Sequence, residues 1–206
     1  MRRFVLLVHR VPRDGNFTLN DLAGGAGRMD EVARAVSTAF TVSNDLRRDT
    51  QVLLLFGGAP GGTGERKITV SGDRIRYLNP DERSTAALLK NALVRAAEFP
   101  RDFESSPGIV VGPAGVRAEL ERIVREPRAV WLTETGTPWR RWDEATTDLT
   151  LLLSDPYDPT EEEHALLVAS GIPQVSFGPR SLRTSQVIEL AHHELDELEG
   201  RPGPPA

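Results

Sequence analysis

In the last third of the chain, short apolar runs alternate with helical stripes, and few folds accommodate that rhythm. Ala129 to Thr133 is an apolar run closed by Glu134-Thr135-Gly136. Leu149 to Leu153 ends in Ser154-Asp155-Pro156 and precedes a helix predicted from Thr160 to Ala169. Val175-Ser176-Phe177 ends in Gly178-Pro179, and a helix from about Thr184 to Leu198 follows, with Val187, Ile188, Ala191, Leu195 and Leu198 as its apolar stripe. Strands that alternate with helices pair in parallel and are covered on both faces. The expected fold is therefore α/β, a mostly parallel sheet with helices on both sides. Ligands in such sheets sit beyond the carboxyl ends of the strands. That makes the polar, glycine- or proline-bearing loops 132–136, 153–156 and 177–182 the natural wall of a cofactor site.

Earlier segments extend the same plan. Phe4 to Val8, Val52 to Phe56 and Ile109 to Val111 are continuous apolar runs, the pattern of strands buried on two faces. Helices are predicted over Met29 to Phe40, from Asn79 to just before Pro100, and from about Ala114 to Arg125, each with apolar residues at helical spacing. Lys67 to Val70 and Arg74 to Leu78 read as a hairpin around Ser71-Gly72-Asp73. The 206 residues contain no repeat and no linker that would separate domains, so residues 1–200 are expected to form one domain. The proline-rich tail, 201–206, is expected to be disordered.

Composition removes several classes of function. The chain has no cysteine, which excludes disulfides, thiolate nucleophiles and cysteine metal sites, and fits a cytoplasmic address. No apolar run approaches the roughly 20 residues of a membrane helix. The apolar run after Arg2-Arg3 stops at His9-Arg10 without a small-residue cleavage site, so it reads as a first strand rather than a leader. His192-His193 is the only histidine pair, and adjacent helical side chains diverge by roughly 100°, so no metal site is expected. No G-x-S-x-G elbow is present for a serine nucleophile. Trp131, Trp139 and Trp142 read as core or dimer packing, with base stacking as the lesser role. The net charge of −5 supplies no global attraction to nucleic acid. Only Lys67 and Lys90 are lysines. The excess of arginine fits a GC-rich genome, yet Arg2/Arg3, Arg10/Arg13, Arg47/Arg48, Arg74/Arg76 and Arg140/Arg141 could together build a local basic face.

Two stretches combine backbone chemistry with surplus polar groups. In Leu78-Asn79-Pro80-Asp81-Glu82-Arg83-Ser84, Asn79 can cap a helix, Pro80 suits the first helical position, and Glu82 can reach back to the cap. Asp81, Arg83 and Ser84 are not needed for that cap and sit where a helix start attracts anions. The second stretch, Ala23-Gly24-Gly25-Ala26-Gly27-Arg28, frees the backbone for close approach to a ligand or a neighbouring segment. It matches neither the P-loop nor the dinucleotide fingerprint. A plain flexible loop is the other reading.

Two long motifs in these stretches resemble those of a known family. Phe17-x-Leu19-x-Asp21-Leu22-Ala23-Gly24-Gly25-Ala26-Gly27-Arg28-x-Asp30, followed by Leu78-Asn79-Pro80-Asp81-Glu82-Arg83-Ser84-x-Ala86-Ala87-Leu88, is similar to the paired signatures of the tRNA pseudouridine-54 N1-methyltransferases of the SPOUT superfamily. Ser154-Asp155, Phe177-Gly178-Pro179, Ser185-Gln186 and His192-His193-Glu194-Leu195-Asp196 correspond to further positions, so the resemblance spans nearly the whole chain. It implies a C-terminal deep trefoil knot, a homodimer, S-adenosyl-L-methionine as cofactor, tRNA as partner, and no membrane or metal. It places Leu132, Ser154, Phe177, Gly178, Leu182 and Val187 around the cofactor. Two positions depart from the family pattern. Val187 stands where a cysteine is common, and Ser154 where glycine or another small residue is common.

Pseudouridine exposes an N1–H that uridine lacks, so methylation there calls for alignment, a proton acceptor, and a cation that steadies negative charge on the uracil. The carboxylates offered by the motifs are Asp21, Asp30, Asp81 and Glu82, and the arginines are Arg28 and Arg83. The favoured pairs are Asp21 with Arg28 and Asp81 with Arg83. A structural ion pair or cap is the competing role for each. A non-catalytic knotted RNA-binding homologue, and a methyltransferase acting on another RNA, are the rival functions.

Overall fold

Leucine- and valine-rich runs that expose no polar edge must be covered on both sides, and the strands here are. The computed structural model describes residues 1–57 and 64–200. In order they form β1 (Arg2–Val8), α1 (Met29–Phe40), β2 (Thr50–Phe56), β3 (Arg66–Ser71), α2 (Glu82–Ala96), β4 (Phe103–Ser106), β5 (Ile109–Pro113), α3 (Val116–Ile123), β6 (Ala129–Pro138), β7 (Thr150–Ser154), α4 (Glu161–Ser170), β8 (Gln174–Ser176) and α5 (Thr184–Gly200). Among the described residues the strands make one sheet in the order β4-β5-β3-β2-β1-β7-β6-β8. From β2 to β8 every pairing is parallel, and from β2 to β4 every pairing is antiparallel. The proline-rich tail and most of the turn between β2 and β3 lie outside the described residues.

Period-two alternation sorts the core into two layers. Phe4, Leu6, Val8, Val52, Leu54 and Phe56 face α1, α2 and α5 in one cluster. Val5, Leu7, Leu53 and Leu55 face α3 and α4 in the other. Trp131 and Trp139 are buried and Trp142 packs at the margin, as expected for core tryptophans. No described helix is long and apolar enough to cross a membrane.

Apart from the length of β6, two elements differ from expectation. Arg74–Leu78 is not a strand; β3 pairs instead with β2 and with β5, which brings in the unforeseen β4. Ile75 and Leu78 are buried all the same, so the apolar residues that suggested a strand pack into the core from a turn. The second difference is at the start of α2. Its cap is Asp81, whose carboxylate accepts from the Ser84 N–H at 2.8 Å, and Asn79 and Pro80 lie before it.

The arginine at the start of β1 ties the two ends of the chain together. Arg2 is 1% exposed, and its guanidinium reaches Asp196 at 2.5 Å, Glu199 at 2.9 Å and Asp49 at 3.4 Å. It also donates to Nδ1 of His192 at 3.2 Å, while Nε2 of His192 donates to the Ala39 carbonyl at 3.0 Å. Burial, with Arg47 and Arg2 nearby, lowers the His192 pKa to about 4, so that ring is neutral. His192 is therefore a packed core group between β1, α1 and α5. A buried cation with several carboxylate partners is costly to truncate because the partners lose their counter-charge. Arg2→Ala is expected to lower the unfolding free energy by about 3 kcal/mol in urea titration. An unchanged midpoint would show that the cluster contributes nothing net.

Candidate cofactor and substrate site

Because β1, β7, β6 and β8 run in parallel, the carboxyl ends of the last three open on the same side of the sheet, beside the start of α5. A cavity of about 700 Å³ lies there. Leu132, Ser154, Phe177, Gly178, Leu182 and Val187 all line it, so the structure brings together every residue expected to surround the cofactor. They come from three stretches of the chain, around residues 132, 154 and 177–187.

The wall has a backbone cause. β6 pairs with β8 twice, first at Trp131 and Leu132 and again at Thr137 and Pro138, with the register slipping between them. Residues 133–136 therefore bow out over the end of β8. A side chain at Gly136 would bring its Cβ to 2.5 Å from the Val175 nitrogen, so glycine is needed for this crossing. This is why β6 runs five residues beyond the expected Thr133. Hydroxyl groups fasten the other loops. Thr184 Oγ1 donates to the Ser154 carbonyl at 2.7 Å, Ser176 Oγ to the Gly178 carbonyl at 2.8 Å, and Ser181 Oγ to Glu134 at 2.7 Å. Ser154 Oγ donates to the Tyr157 carbonyl. Phe177 stacks on Trp139 with ring centroids 4.9 Å apart, which fixes the aromatic side of the wall.

The four residues expected to do chemistry are distributed differently. Arg28 lines the cavity; Asp21, Asp81 and Arg83 do not. Arg28 caps α1 in the left-handed region (φ 70°), where a non-glycine residue stores roughly 1 kcal/mol of strain. Its guanidinium pairs with Asp30 at 3.0 Å and Glu31 at 3.2 Å rather than with Asp21. Gly27 before it is also left-handed, and a Cβ there would come within 2.1 Å of the Arg10 carbonyl. The glycine run thus allows close approach to a neighbouring segment. Both oxygens of Asp21 accept from that run, Gly25 N–H at 2.7 Å and Gly24 N–H at 2.9 Å, and these bonds hold its pKa below the ordinary carboxylate value. Ser84 does the same for Asp81 through its hydroxyl and its N–H. Arg83 donates to the Leu19 carbonyl at 2.9 Å and to Asn20 Oδ1 at 3.1 Å. The expected pairs Asp21–Arg28 and Asp81–Arg83 are therefore not formed. In their place, the start of α2 is bound to the loop that carries Asp21.

A cluster absent from the sequence reading borders the same cavity. His9, at the end of β1, meets Asp155 Oδ1 through Nδ1 at 2.8 Å and Glu163 Oε2 through Nε2 at 2.9 Å. Burial alone would lower its pKa, but the two carboxylates outweigh that and raise it to about 9. His9 is thus an imidazolium at neutral pH. The expected basic face is largely neutralised: Arg3 pairs with Glu126, Arg47 with Asp196, Arg48 with Asp45, Arg74 with Glu104 and Arg140 with Glu194. No described group of three or more histidine and carboxylate residues could hold a metal ion.

Known proteins resemble this chain over most of its length. A family model described as "Putative SAM-dependent RNA methyltransferase" matches residues 1–200. The tRNA (pseudouridine(54)-N(1))-methyltransferase of Methanocella arvoryzae is 40% identical over 196 residues, covering 95% of this chain and 99% of that protein. The protein of the same name from Haloferax volcanii is 38% identical over 198 residues, covering 95% and 96%. Among solved structures, Archaeoglobus fulgidus Nep1 bound to S-adenosylhomocysteine superposes with a TM-score of 0.61 at 16% identity, covering 97% of this chain and 99% of that one.

The His9 cluster gives a pH signature. A histidine whose pKa is raised from about 6.5 to about 9 on folding adds stability that is fully present below pH 6.5 and is lost as pH rises through 9. Urea midpoints of the wild-type protein are expected to fall between about pH 7 and about pH 10, and those of His9→Gln to fall less. Parallel pH profiles would contradict the assignment.

Proposed function

This chain belongs to the family of SAM-dependent RNA methyltransferases, and from that membership we propose that it methylates N1 of the pseudouridine at position 54 of tRNA. The observation that carries the proposal is the convergence of Leu132, Ser154, Phe177, Gly178, Leu182 and Val187 on one cavity at the carboxyl ends of β6, β7 and β8. Its volume suits a cofactor of this size. Its wall also suits the cofactor's mixed character: Leu132, Leu182 and Val187 offer apolar contact, Phe177 a ring, and Ser154 and Gly178 polar backbone. When bound, S-adenosyl-L-methionine supplies an electrophilic methyl group on a cationic sulfonium.

The chain's own residues orient the acceptor and manage its proton. Arg28 at the cavity lip is the group placed to steady negative charge that develops on the uracil as N1–H is lost. Asp21 orders the glycine loop that delivers Arg28, Asp81 caps α2, and Arg83 ties the two segments, so these three act as positioning residues in this reading. Among the carboxylates of the wall, Asp155 and Glu31 are committed to His9 and to arginines, which leaves Asp158 and the Glu134 oxygen that Ser181 does not engage to accept the proton. Val187 supplies only an apolar contact, so no thiol takes part.

The knotted topology and the homodimer belong to the same proposal. The double pairing of β6 with β8 and the return of α5 onto α1 support the knot. The exposed cleft of Trp142, His193 and Leu198 is a surface suited to a second copy. A cytoplasmic address belongs to the same proposal, and the tRNA substrate and the lack of cysteine support it.

Incubated with S-adenosyl-L-methionine, the protein is expected to add one methyl to a tRNA arm bearing pseudouridine at position 54 and none to the same arm bearing uridine. Mass spectrometry of the digested RNA reads both. Arg28→Ala should lower turnover by about 100-fold at near-normal cofactor affinity. Asp81→Asn keeps the cap and should retain turnover, since asparagine caps as well as aspartate. RNA binding without methyl transfer would favour a non-catalytic homologue; equal methylation of both arms would refute pseudouridine selectivity. Light scattering should give twice the mass of one chain, and a monomer would refute the dimer.

A further inference from the structure

Neither the cofactor reading nor the RNA reading uses His9, although it is the most heavily engaged buried cation near the cavity. Its side chain is 8% exposed, and both ring nitrogens face carboxylate oxygens. Carboxylates offer no proton at neutral pH, so both nitrogens must donate and the ring must be cationic. Asp155 is held from three sides: it accepts from the His9 N–H at 2.9 Å, from Nδ1, and from the Tyr157 N–H at 3.1 Å. Glu163 is the third residue of α4, and the oxygen that accepts from Nε2 also accepts from the Thr160 N–H at 2.8 Å, in a capping box.

The position of these groups matters more than their number. Pro156, Tyr157, Asp158 and Pro159 form one wall of the cavity. Asp155 stands at one end of that wall, and Thr160 with Glu163 at the other. One imidazolium therefore grips both ends of a four-residue span. The next residue, Arg10, lies over the Tyr157 ring with its guanidinium 3.8 Å from the centroid, pressing on the middle of the same span. Arg10, Tyr157 and Asp158 are further titratable groups on or against this span, and Arg28 lies close enough to Tyr157 to interact with its charge. His164 turns away from it to meet Trp131 edge-on.

We propose that His9 is a positioning residue for cofactor binding, holding the 156–159 wall in the shape that admits S-adenosyl-L-methionine by bridging Asp155 and Glu163. The proposal rests on the reading that this cavity binds the cofactor. A wall fixed before the ligand arrives spares the ligand the entropy of ordering it, so affinity depends on the bridge. Neutralising the ring leaves one carboxylate without a donor and frees one end of the span.

Calorimetric titration with S-adenosylhomocysteine, on wild type and His9→Gln at about pH 7 and about pH 10, tests this. At pH 7 the variant is expected to bind about tenfold more weakly while remaining folded by circular dichroism. At pH 10 the wild type loses the same proton, and the two affinities should come within about twofold. Titration of the ligand itself affects both proteins equally and cancels in the ratio. Equal affinities at pH 7, with only the melting temperature lowered, would make His9 a purely structural staple and overturn the proposal. A tenfold ratio that persists at pH 10 would overturn it too. If wild type binds no S-adenosylhomocysteine at pH 7, the cavity reading itself fails, and the role proposed for His9 fails with it. Should His9→Gln not fold, Glu163→Ala removes the acceptor of Nε2 while the Thr160 hydroxyl still caps α4, and it is expected to weaken binding at pH 7 in the same way; unchanged affinity in that variant overturns the proposal.

Discussion

Parallel pairing among β1, β7, β6 and β8 is the constraint on which the rest of the molecule depends. Strands that run the same way end on the same side, so three loops that are remote in sequence become neighbours in space. The slip in register within β6 then bows residues 133–136 out of the ladder, and Thr133, Glu134 and Thr135 line the cavity. Nothing in those loops alone would assemble the site. The sheet does it, and the hydroxyl-to-carbonyl bonds of Ser154, Ser176 and Thr184 set the final shape.

Buried charge is the second theme, and it is used with partners throughout. Arg2, His9 and the Asp155–Glu163 pair are all removed from water, and each is matched by opposite charge within hydrogen-bonding range. His192 is the complementary case. Burial and two nearby arginines keep it neutral, and its two nitrogens serve one donor and one acceptor. The two histidines thus differ in charge at one pH, His9 cationic and His192 neutral, for reasons visible in their surroundings. Many of the other described arginines, among them Arg3, Arg47, Arg48, Arg74 and Arg140, pair with carboxylates, which neutralises much of the basic face the sequence offered.

Much of this was legible in the sequence where local pattern sufficed. The apolar runs at Phe4–Val8, Val52–Phe56 and Leu149–Leu153 declared buried strands because nothing else tolerates such continuity. The residues that line the cavity followed from strand polarity together with the family resemblance. Failures arose where two local solutions were equally good. Asn79 and Asp81 are both strong caps two residues apart, and the choice of Asp81 is made by Ser84 supplying N–H and hydroxyl together. The segment Arg74–Leu78 has strand-like composition, yet β5 takes the edge of β3 that a hairpin would have used. The His9 cluster could not be read at all, since its partners lie 146 and 154 residues away. The pairing of Arg83 with the Leu19–Asn20 backbone, which joins the two sequence motifs, was equally invisible for the same reason.

The central claim is that one cavity, built by the carboxyl ends of three parallel strands and the start of α5, receives the cofactor. Hydrogen–deuterium exchange with and without S-adenosylhomocysteine addresses it directly. The account predicts slower exchange on ligand addition at residues 131–135, 153–159 and 176–184, with little change across β3, β4 and β5. Protection concentrated at those latter strands, or spread evenly over the sheet, would contradict it.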